Sequence, residues 1–175
     1  MLIDLSELLS HVDKTFDLSV DLEMERFTTR INDYPVVDKK PMLFKISGID
    51  GKKVRISAEI ELTLVIPCDR CLEDVKNQIK INTSKEVDLS ETEEERKKSL
   101  DDIDYIDGTT FDAEKFAYGE ILVNLPMKVL CSENCKGICN RCGTNLNHGN
   151  CGCDTTELDP QMAKALEVFN SFKEV

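Results

Sequence analysis

The fold is decided by the stretch from Val54 to Leu72, V-R-I-S-A-E-I-E-L-T-L-V-I-P-C-D-R-C-L, in which apolar and polar residues alternate up to a proline and two cysteines. Alternation with a period of two is the pattern of a β-strand that buries one face. An Asp50-Gly51 pair, typical of a tight turn, precedes this strand, and the alternation resumes from Val75 to Leu89. The stretch therefore predicts a long antiparallel hairpin with the C-x-x-C pair at its tip.

Weaker patterns on the N-terminal side of the hairpin indicate further strands. Phe16, Leu18, Val20 and Leu22 alternate with polar residues, which predicts a strand with one buried face. Residues 42–49 form a second apolar, strand-like run, and the proline-containing stretch 34–41 between the two predicts a loop.

Three helices complete the predicted architecture. Asp4 and Glu7 are spaced as in a capping box and predict a short first helix. Asp112 is expected to cap a second helix that ends before Pro126, and Asp159-Pro160 is expected to start a third. The apolar stripe of this last helix, which we expect to pack on the body, consists of Met162, Leu166, Phe169 and Phe172.

These elements predict an α+β fold with a β-rich antiparallel body, either a sheet or a partly open barrel, and few helices. The body is expected to span residues 1–130 and to include an acidic loop at 86–107. A cysteine-rich metal-binding module is expected at 131–158, followed by the C-terminal helix at 159–175.

All 8 cysteines fall into close pairs, with two, three, two or one residues between the members. Such spacing lets each pair bind a metal ion from two sides, as in closed tetrahedral zinc sites. Disulfides and free redox thiols are the alternatives, but paired cysteines in a reducing compartment are more often metal ligands. Iron is less favoured than zinc because the chain has no ferredoxin-type cysteine run. The prediction is two zinc ions.

Sequence order divides the cysteines into two sets of four. A local site is predicted from Cys139, Cys142, Cys151 and Cys153. A second site, which would staple the hairpin tip to the segment after the second helix, is predicted from Cys68, Cys71, Cys131 and Cys135. His148 can replace one ligand, although a histidine beside a complete four-thiolate set is more often a loop residue or a support for a ligand. His11 has no metal-spaced neighbours and is expected at the surface.

The charge of the chain favours a basic protein as partner over bare nucleic acid. The formal net charge is −12, with 34 acidic and 22 basic residues. Its densest acidic run, in residues 86–107, is expected to be a solvated loop, with attraction of a cationic partner as the alternative. The cysteine region is locally basic, since its charged residues from Pro126 to Cys153 sum to +2. Its candidate RNA contacts are Lys128, Lys136 and Arg141.

Other classes of protein find little support in the sequence. The first residues carry no secretion signal and no stretch has the roughly 20 apolar residues of a membrane span, so a cytoplasmic protein without membrane contact is expected. No catalytic motif occurs, and eight cysteines suit saturated structural sites better than a catalytic zinc with an open position. We therefore expect neither an enzyme nor a small-molecule substrate. Thiol redox sensing stays as an alternative.

The later motifs resemble those of the bacterial YceD family, the large ribosomal RNA subunit accumulation proteins. The resemblance covers essentially the whole chain and rests on P-C-D-R-C-L, E-I-L-V-N-L-P, L-C-S-E-N-C-K-G-I-C-N-R-C-G-T-N-L-N and C-G-C. It implies metal binding and candidate nucleic-acid binding, and it links the chain to accumulation of large-subunit rRNA. Family members that retain mainly the first cysteine pair imply that residues 139–153 form a separable element.

Together, the resemblance and the charge predict a non-enzymatic accessory factor in large ribosomal subunit biogenesis. Its expected partner is a basic ribosomal protein, free or within a pre-ribosomal large-subunit particle. Direct binding of rRNA is the main alternative.

Overall fold

A computed structural model describes residues 1–10, 14–90 and 103–153, together with Met162 and Lys164. The strands are β1 (Leu2–Asp4), β2 (Thr15–Val20), β3 (Arg26–Thr28), β4 (Asp33–Lys39), β5 (Met42–Gly48), β6 (Lys53–Pro67), β7 (Asp74–Asp88), β8 (Ile106–Asp107) and β9 (Thr110–Asp112). The helices whose bounds are defined are α1 (Ser6–Ser10) and α2 (Ala113–Val123). The fold is α+β and dominated by antiparallel strands, which confirms the predicted class.

The main sheet is built around the β6–β7 hairpin. Both strands have 15 residues and pair without interruption from Lys53 opposite Asp88 to Pro67 opposite Asp74. The other edge of β6 pairs first with β5 and then with β4, and β2 and β3 extend the sheet beyond these two strands. A second sheet has the order β1-β9-β8. Among the described strands both sheets are open, so the predicted body is a sheet rather than a barrel.

The two faces of the hairpin differ as the alternation predicts. Even-numbered residues of β6, from Val54 to Ile66, are buried, whereas the odd-numbered ones face outward. A broad concavity of about 640 Å³ lies over the outward, mostly polar face. The buried face carries an aromatic cluster in which the Phe111 ring centroid lies 5.5, 5.6 and 6.1 Å from those of Phe44, Phe116 and Tyr105. This cluster joins the second sheet and α2 to the main sheet.

Helix α2 is held so that the chain leaving it reaches the hairpin tip. Asp112 is its N-cap, and its side chain accepts hydrogen bonds from the backbone N–H groups of Glu114 and Lys115, as predicted from sequence. Glu120, a buried acidic side chain, forms an ion pair with Lys85 of β7. The helix is thereby anchored to the hairpin near its open end, and residues 124–130 run on to the cysteine region.

The prediction of a loop at 34–41 was wrong, because residues 33–39 form β4. Pro35 lacks a backbone N–H but is tolerated because its nitrogen points away from β3, since the N–H of Val36 donates to Glu25, and because the pairing with β6 begins only at Val36. A register shift between Val36 and Asp38 also disrupts the alternation by which a strand is recognised.

Several expectations fall outside the described residues. Residues 91–102 of the acidic segment, His11 and most of the C-terminal segment are among them, although Met162 and Lys164 lie in helix. The division into body, module and terminal helix stays a prediction. In the described ranges no helix has both the length and the apolar character that a membrane crossing requires.

Candidate metal centre

Four cysteine sulfurs meet at the tip of the hairpin, and we call this set the inner cluster: Cys68, Cys71, Cys131 and Cys135. The sulfurs all lie within 4.8 Å of one another. The Cys68 and Cys135 sulfurs are 3.8 Å apart, and those of Cys71 and Cys131 are 3.4 Å apart. Four sulfurs at about 2.3 Å from a central zinc ion would be separated by roughly 3.8 Å in a tetrahedron. The geometry of the inner cluster therefore fits a four-thiolate zinc site.

The tight turn at the end of β6 explains why Cys68 and Cys71 point the same way. The backbone N–H of Leu72 donates to the carbonyl of Cys68 at 2.9 Å, and the N–H of Cys68 donates to the carbonyl of Glu73 at 2.8 Å. Leu72 has a φ of 63°, which is uncommon for a residue with a side chain. The turn is thus held in a conformation that brings both sulfurs to one side.

Backbone contacts join this tip to the segment that follows α2. The N–H of Asp69 donates to the carbonyl of Val129 at 2.9 Å, and the Asp69 carboxylate accepts from the N–H of Val129 at 2.7 Å. The Arg70 guanidinium donates to the carbonyl of Cys135 at 2.8 Å, and its own carbonyl accepts from the N–H of Ile138 at 3.1 Å. These hydrogen bonds therefore position the two halves of the inner cluster against each other.

Gly137 permits this close approach of the two segments. Its φ is 78°, and a Cβ atom built on it would lie 3.0 Å from the carbonyl oxygen of Arg70. Most real Cβ contacts are wider than this, so any larger residue would require the Arg70 backbone to shift by a few tenths of an ångström. Both the backbone angle and the limited space therefore favour glycine here.

A second set of four cysteines, which we call the outer cluster, consists of Cys139, Cys142, Cys151 and Cys153. Its sulfurs also lie within 4.8 Å of one another. A turn closes its first half, because the N–H of Gly143 donates to the carbonyl of Cys139 at 2.9 Å. Cys139 is buried, Cys142 is exposed, and the last two cysteines are partly exposed. This cluster is more accessible to solvent than the inner one.

Within the inner cluster, the local surroundings separate the pKa values of neighbouring thiols. Burial opposes ionisation of Cys68, but backbone N–H groups of Arg70, Cys71 and Cys131 donate to its sulfur and lower its pKa to about 6. The backbone N–H of Glu73 favours the thiolate of Cys71, yet burial and hydrogen bonds to the neighbouring thiols raise its pKa to about 12. Four thiolates this close repel one another, so a bound divalent cation is what allows all of them to ionise.

The outer cluster shows the same separation. The hydroxyl and backbone N–H of Thr144 donate to the sulfur of Cys142 and lower its pKa to about 6. Hydrogen bonds to the sulfurs of Cys142 and Cys151 raise the pKa of Cys153 to about 12.

The donor sets of the two clusters indicate the kind of metal that they suit. Four soft thiolates suit zinc or an iron–sulfur centre better than magnesium or calcium. The two sets that the structure brings together are those into which the sequence order divides the cysteines. Their binding of metal stays a prediction.

The remaining predicted residues do not join either cluster. His148 lies at the surface, and its Nε2 is 2.5 Å from a carboxylate oxygen of Glu73, next to the hairpin tip. Lys128, Lys136 and Arg141 are all exposed and lie on three separate segments of the cysteine region. The structure therefore places His148 as a support for the tip and leaves the three basic side chains accessible.

Asn147 is a contributor to the inner cluster that the sequence analysis missed. Its side-chain N–H donates to the sulfur of Cys135 at 3.3 Å, and its side-chain oxygen accepts from the backbone N–H of Lys136 at 2.7 Å. This amide lowers the pKa of Cys135, although burial opposes that effect. The only sequence signal was the polar run T-N-L-N-H between the two halves of the outer cluster. Nothing in that run indicates that it reaches the inner cluster.

The fold and the site together define a β-rich protein with a cysteine-tipped hairpin and two four-cysteine clusters that could hold metal ions. The sequence profile of the family described as "Large ribosomal RNA subunit accumulation protein YceD" matches residues 56–169, well over half of the chain. The chain belongs to this family, which confirms the resemblance seen in the motifs.

Curated relatives extend the comparison. The chain is 27% identical over 161 residues to "Large ribosomal RNA subunit accumulation protein YCED homolog 1, chloroplastic" of Arabidopsis thaliana, covering 77% of this chain and 50% of that protein. It is 23% identical over 116 residues to uncharacterised proteins of Mycobacterium bovis and Mycobacterium tuberculosis, covering 66% of this chain and 56% of each. The chain thus spans about half the length of the curated relatives it matches. No solved structure matches it.

Proposed function

We propose that this chain is a non-enzymatic, zinc-binding accessory factor in the accumulation of the large ribosomal subunit, and that it acts by holding a basic ribosomal protein. The observation that carries the proposal is the family match, whose description concerns large ribosomal RNA subunit accumulation and names no reaction. The matched residues include β7, α2, both cysteine clusters and nearly all of β6. The cytoplasmic location expected from the sequence fits this role and stays a prediction.

The role proposed for the zinc ions is structural. Four thiolates saturate a tetrahedral zinc, which leaves no position for a reacting water molecule. A metal ion in the inner cluster would link residues about 60 positions apart and would hold the chain that leaves α2 against the hairpin tip. The zinc ions would therefore maintain a surface at this end of the molecule rather than carry out chemistry on a substrate.

Zinc content per chain tests this part of the proposal. We expect native mass spectrometry to find two zinc ions in the full chain and one in the Cys68→Ser, Cys71→Ser variant. The variant Asn150→Ala, which changes an exposed residue near the outer cluster, is expected to keep both. A single zinc ion in both the full chain and the double variant would contradict the proposed zinc site at the inner cluster.

The charge of the chain supports a basic protein as the partner. Each four-thiolate zinc site carries two negative charges, so two sites would bring the formal charge from −12 to about −16. A chain of this charge repels a bare phosphate backbone at long range and attracts cationic proteins. Large-subunit ribosomal proteins or a pre-ribosomal particle are the partners we propose.

Affinity purification tests the partner. The tagged full chain, purified from lysate with and without ribonuclease, is expected to retain a basic large-subunit protein after the RNA has been digested. Loss of every ribosomal component on ribonuclease treatment would instead show that RNA carries the association. Recovery of no large-subunit component under either condition would contradict the proposed function.

Direct binding of rRNA is the second candidate, because Lys128, Lys136 and Arg141 are all exposed. Titration of rRNA fragments at two salt concentrations tests it, since each phosphate contact adds roughly 0.7–0.9 to the slope of log affinity against log salt. Replacing the three basic residues with glutamine should lower that slope, whereas Lys45→Gln on the outward face of β5 should not. An affinity that does not depend on salt would contradict phosphate-driven binding. Redox sensing would in turn be contradicted if mild peroxide treatment released no zinc.

A further inference from the structure

We propose that the two cysteine clusters bind zinc cooperatively, and that the segment Thr144–His148, which we call the coupling segment, transmits the effect. The inference rests on the zinc binding proposed above and adds to it a dependence of each site on the other. It assigns a positioning role to Asn147, a residue that belongs to neither cluster.

The coupling segment contacts the inner cluster and the hairpin tip directly. The side-chain N–H of Asn147 donates to the sulfur of Cys135 at 3.3 Å. The side-chain oxygen of Asn147 accepts from the backbone N–H of Lys136, the residue after Cys135, at 2.7 Å. The ring of His148 lies 2.5 Å from the carboxylate of Glu73, whose backbone carbonyl accepts a hydrogen bond from the N–H of Cys68 at 2.8 Å. One short segment therefore reaches both halves of the inner cluster.

The same segment is part of the outer cluster's framework. It lies between Cys142 and Cys151, so its two ends are fixed when these cysteines share one metal ion. The carbonyl of Thr144 accepts from the N–H of Cys139 at 2.9 Å, and Asn145 forms a β-bridge with Ile138. Closing the outer cluster therefore orders the segment that supports the inner one.

Accessibility sets the order in which the sites lose metal. In the inner cluster three of the four cysteines are no more than 5% exposed and the fourth, Cys131, is exposed, whereas in the outer cluster Cys139 is the one buried cysteine. A chelator or a protein competing for zinc would reach the outer site first. Loss of that ion releases Asn147 and His148, and the tip then loses its support. The cysteine region would thus respond to zinc supply while the β-rich body stays folded.

The first test compares variants that keep all eight cysteines. Groups that support metal ligands typically contribute 10- to 100-fold in metal affinity. We expect Asn147→Ala to weaken zinc binding at the inner cluster by about ten-fold or more, measured by chelator competition. Asn147→Asp keeps the oxygen that accepts from Lys136 but loses the N–H donor. Its inner cluster should therefore bind zinc no more tightly than that of the alanine variant. The matched control Asn150→Ala should bind like the unchanged chain, and equal affinities for all variants would overturn the role of Asn147.

The second test uses reciprocity. Removing the outer site with Cys151→Ser and Cys153→Ser should lower the inner site's affinity, and removing the inner site with Cys68→Ser and Cys71→Ser should lower the outer site's affinity by the same factor. Because the inner variant also disturbs the hairpin tip, native mass spectrometry of the unchanged chain provides an independent measure. Cooperative binding predicts mostly empty and two-zinc species at half saturation, with little one-zinc species.

The outcomes separate the two proposals. A chain that binds no zinc would refute the zinc binding on which the proposed function depends. Two zinc ions bound with independent affinities, and abundant one-zinc species at half saturation, would leave that function standing and overturn the coupling alone.

Discussion

Replacement of Gly137 by alanine tests whether the hairpin tip and the cysteine segment are held in contact as the structure shows. Alanine at a φ of 78° costs about 1–2 kcal/mol. Its Cβ, 3.0 Å from the Arg70 carbonyl oxygen, must also push the segments apart, which weakens the hydrogen bond from Ile138 to that oxygen. A bond of this kind contributes about 0.5–1.5 kcal/mol. The expected total is about 1.5–3.5 kcal/mol, or a roughly 10- to 400-fold loss of affinity for zinc at the inner cluster.

The assay is chelator competition in a Cys151→Ser, Cys153→Ser background, so that only the inner cluster binds. Gly137→Asn is the matched control, because asparagine tolerates a positive φ far better than alanine but places the same Cβ against Arg70. We expect the asparagine variant to lose about two- to ten-fold in affinity, from the contact alone. If it binds as tightly as the parent, the contact with Arg70 contributes nothing and the reasoning fails. Circular dichroism should show an unchanged body in both variants.

The other predictions concern the body and the free thiols. Phe111→Ala should destabilise the chain by about 3–5 kcal/mol in urea unfolding, because the ring is fully buried among aromatic neighbours, whereas Ile31→Ala at a 90% exposed position should change stability by less than about 0.5 kcal/mol. Gly119→Ala in α2 should stabilise the chain by about 0.5–1 kcal/mol, because a Cβ atom at this position meets nothing within 4 Å. A loss of stability would contradict this and would indicate a contact that the structure does not show. In the metal-free chain, iodoacetamide should modify Cys142 before Cys153 at pH 7. The pKa of Cys142 is lowered to about 6, so this residue is mostly a thiolate at pH 7, and its reaction should slow as the pH falls below 6. Equal modification of the two by peptide mass spectrometry would contradict this order.

The hairpin could be predicted from sequence because a single physical rule decides it. A strand with one buried face must alternate, and the alternation of β6 continues for its whole length before Pro67 and Cys68 end it. The division of the cysteines followed from sequence order, because the last four are close enough along the chain to meet locally. The first four then had only one another as partners.

What could not be predicted depends on contacts between distant segments. Strand β4 was missed because it contains Pro35 and because its pairing with β6 has a register shift, and neither leaves an alternating pattern. Strand β1 has only three residues, and its pairing with β9 joins segments more than 100 positions apart. The contact of His148 with Glu73 spans 75 positions. No local propensity encodes such a contact, since it exists only once the hairpin tip and the cysteine segment have met.

The range of the family match shows which part of this fold the family's sequence profile describes. It begins at Ile56, inside β6, and it contains β7, α2 and every cysteine, but not β1 to β5. In the structure these excluded strands extend the main sheet beyond the edge of β6 opposite β7, or pair with β9. Their pairing with the edge of β6 or with β9 contributes to the stability of the two sheets, whereas the matched part contains the tip and both clusters. If the matched part carries the family's role, substitutions in β2 to β5 should affect that role only through stability, and substitutions around the tip should affect it in a chain that remains folded.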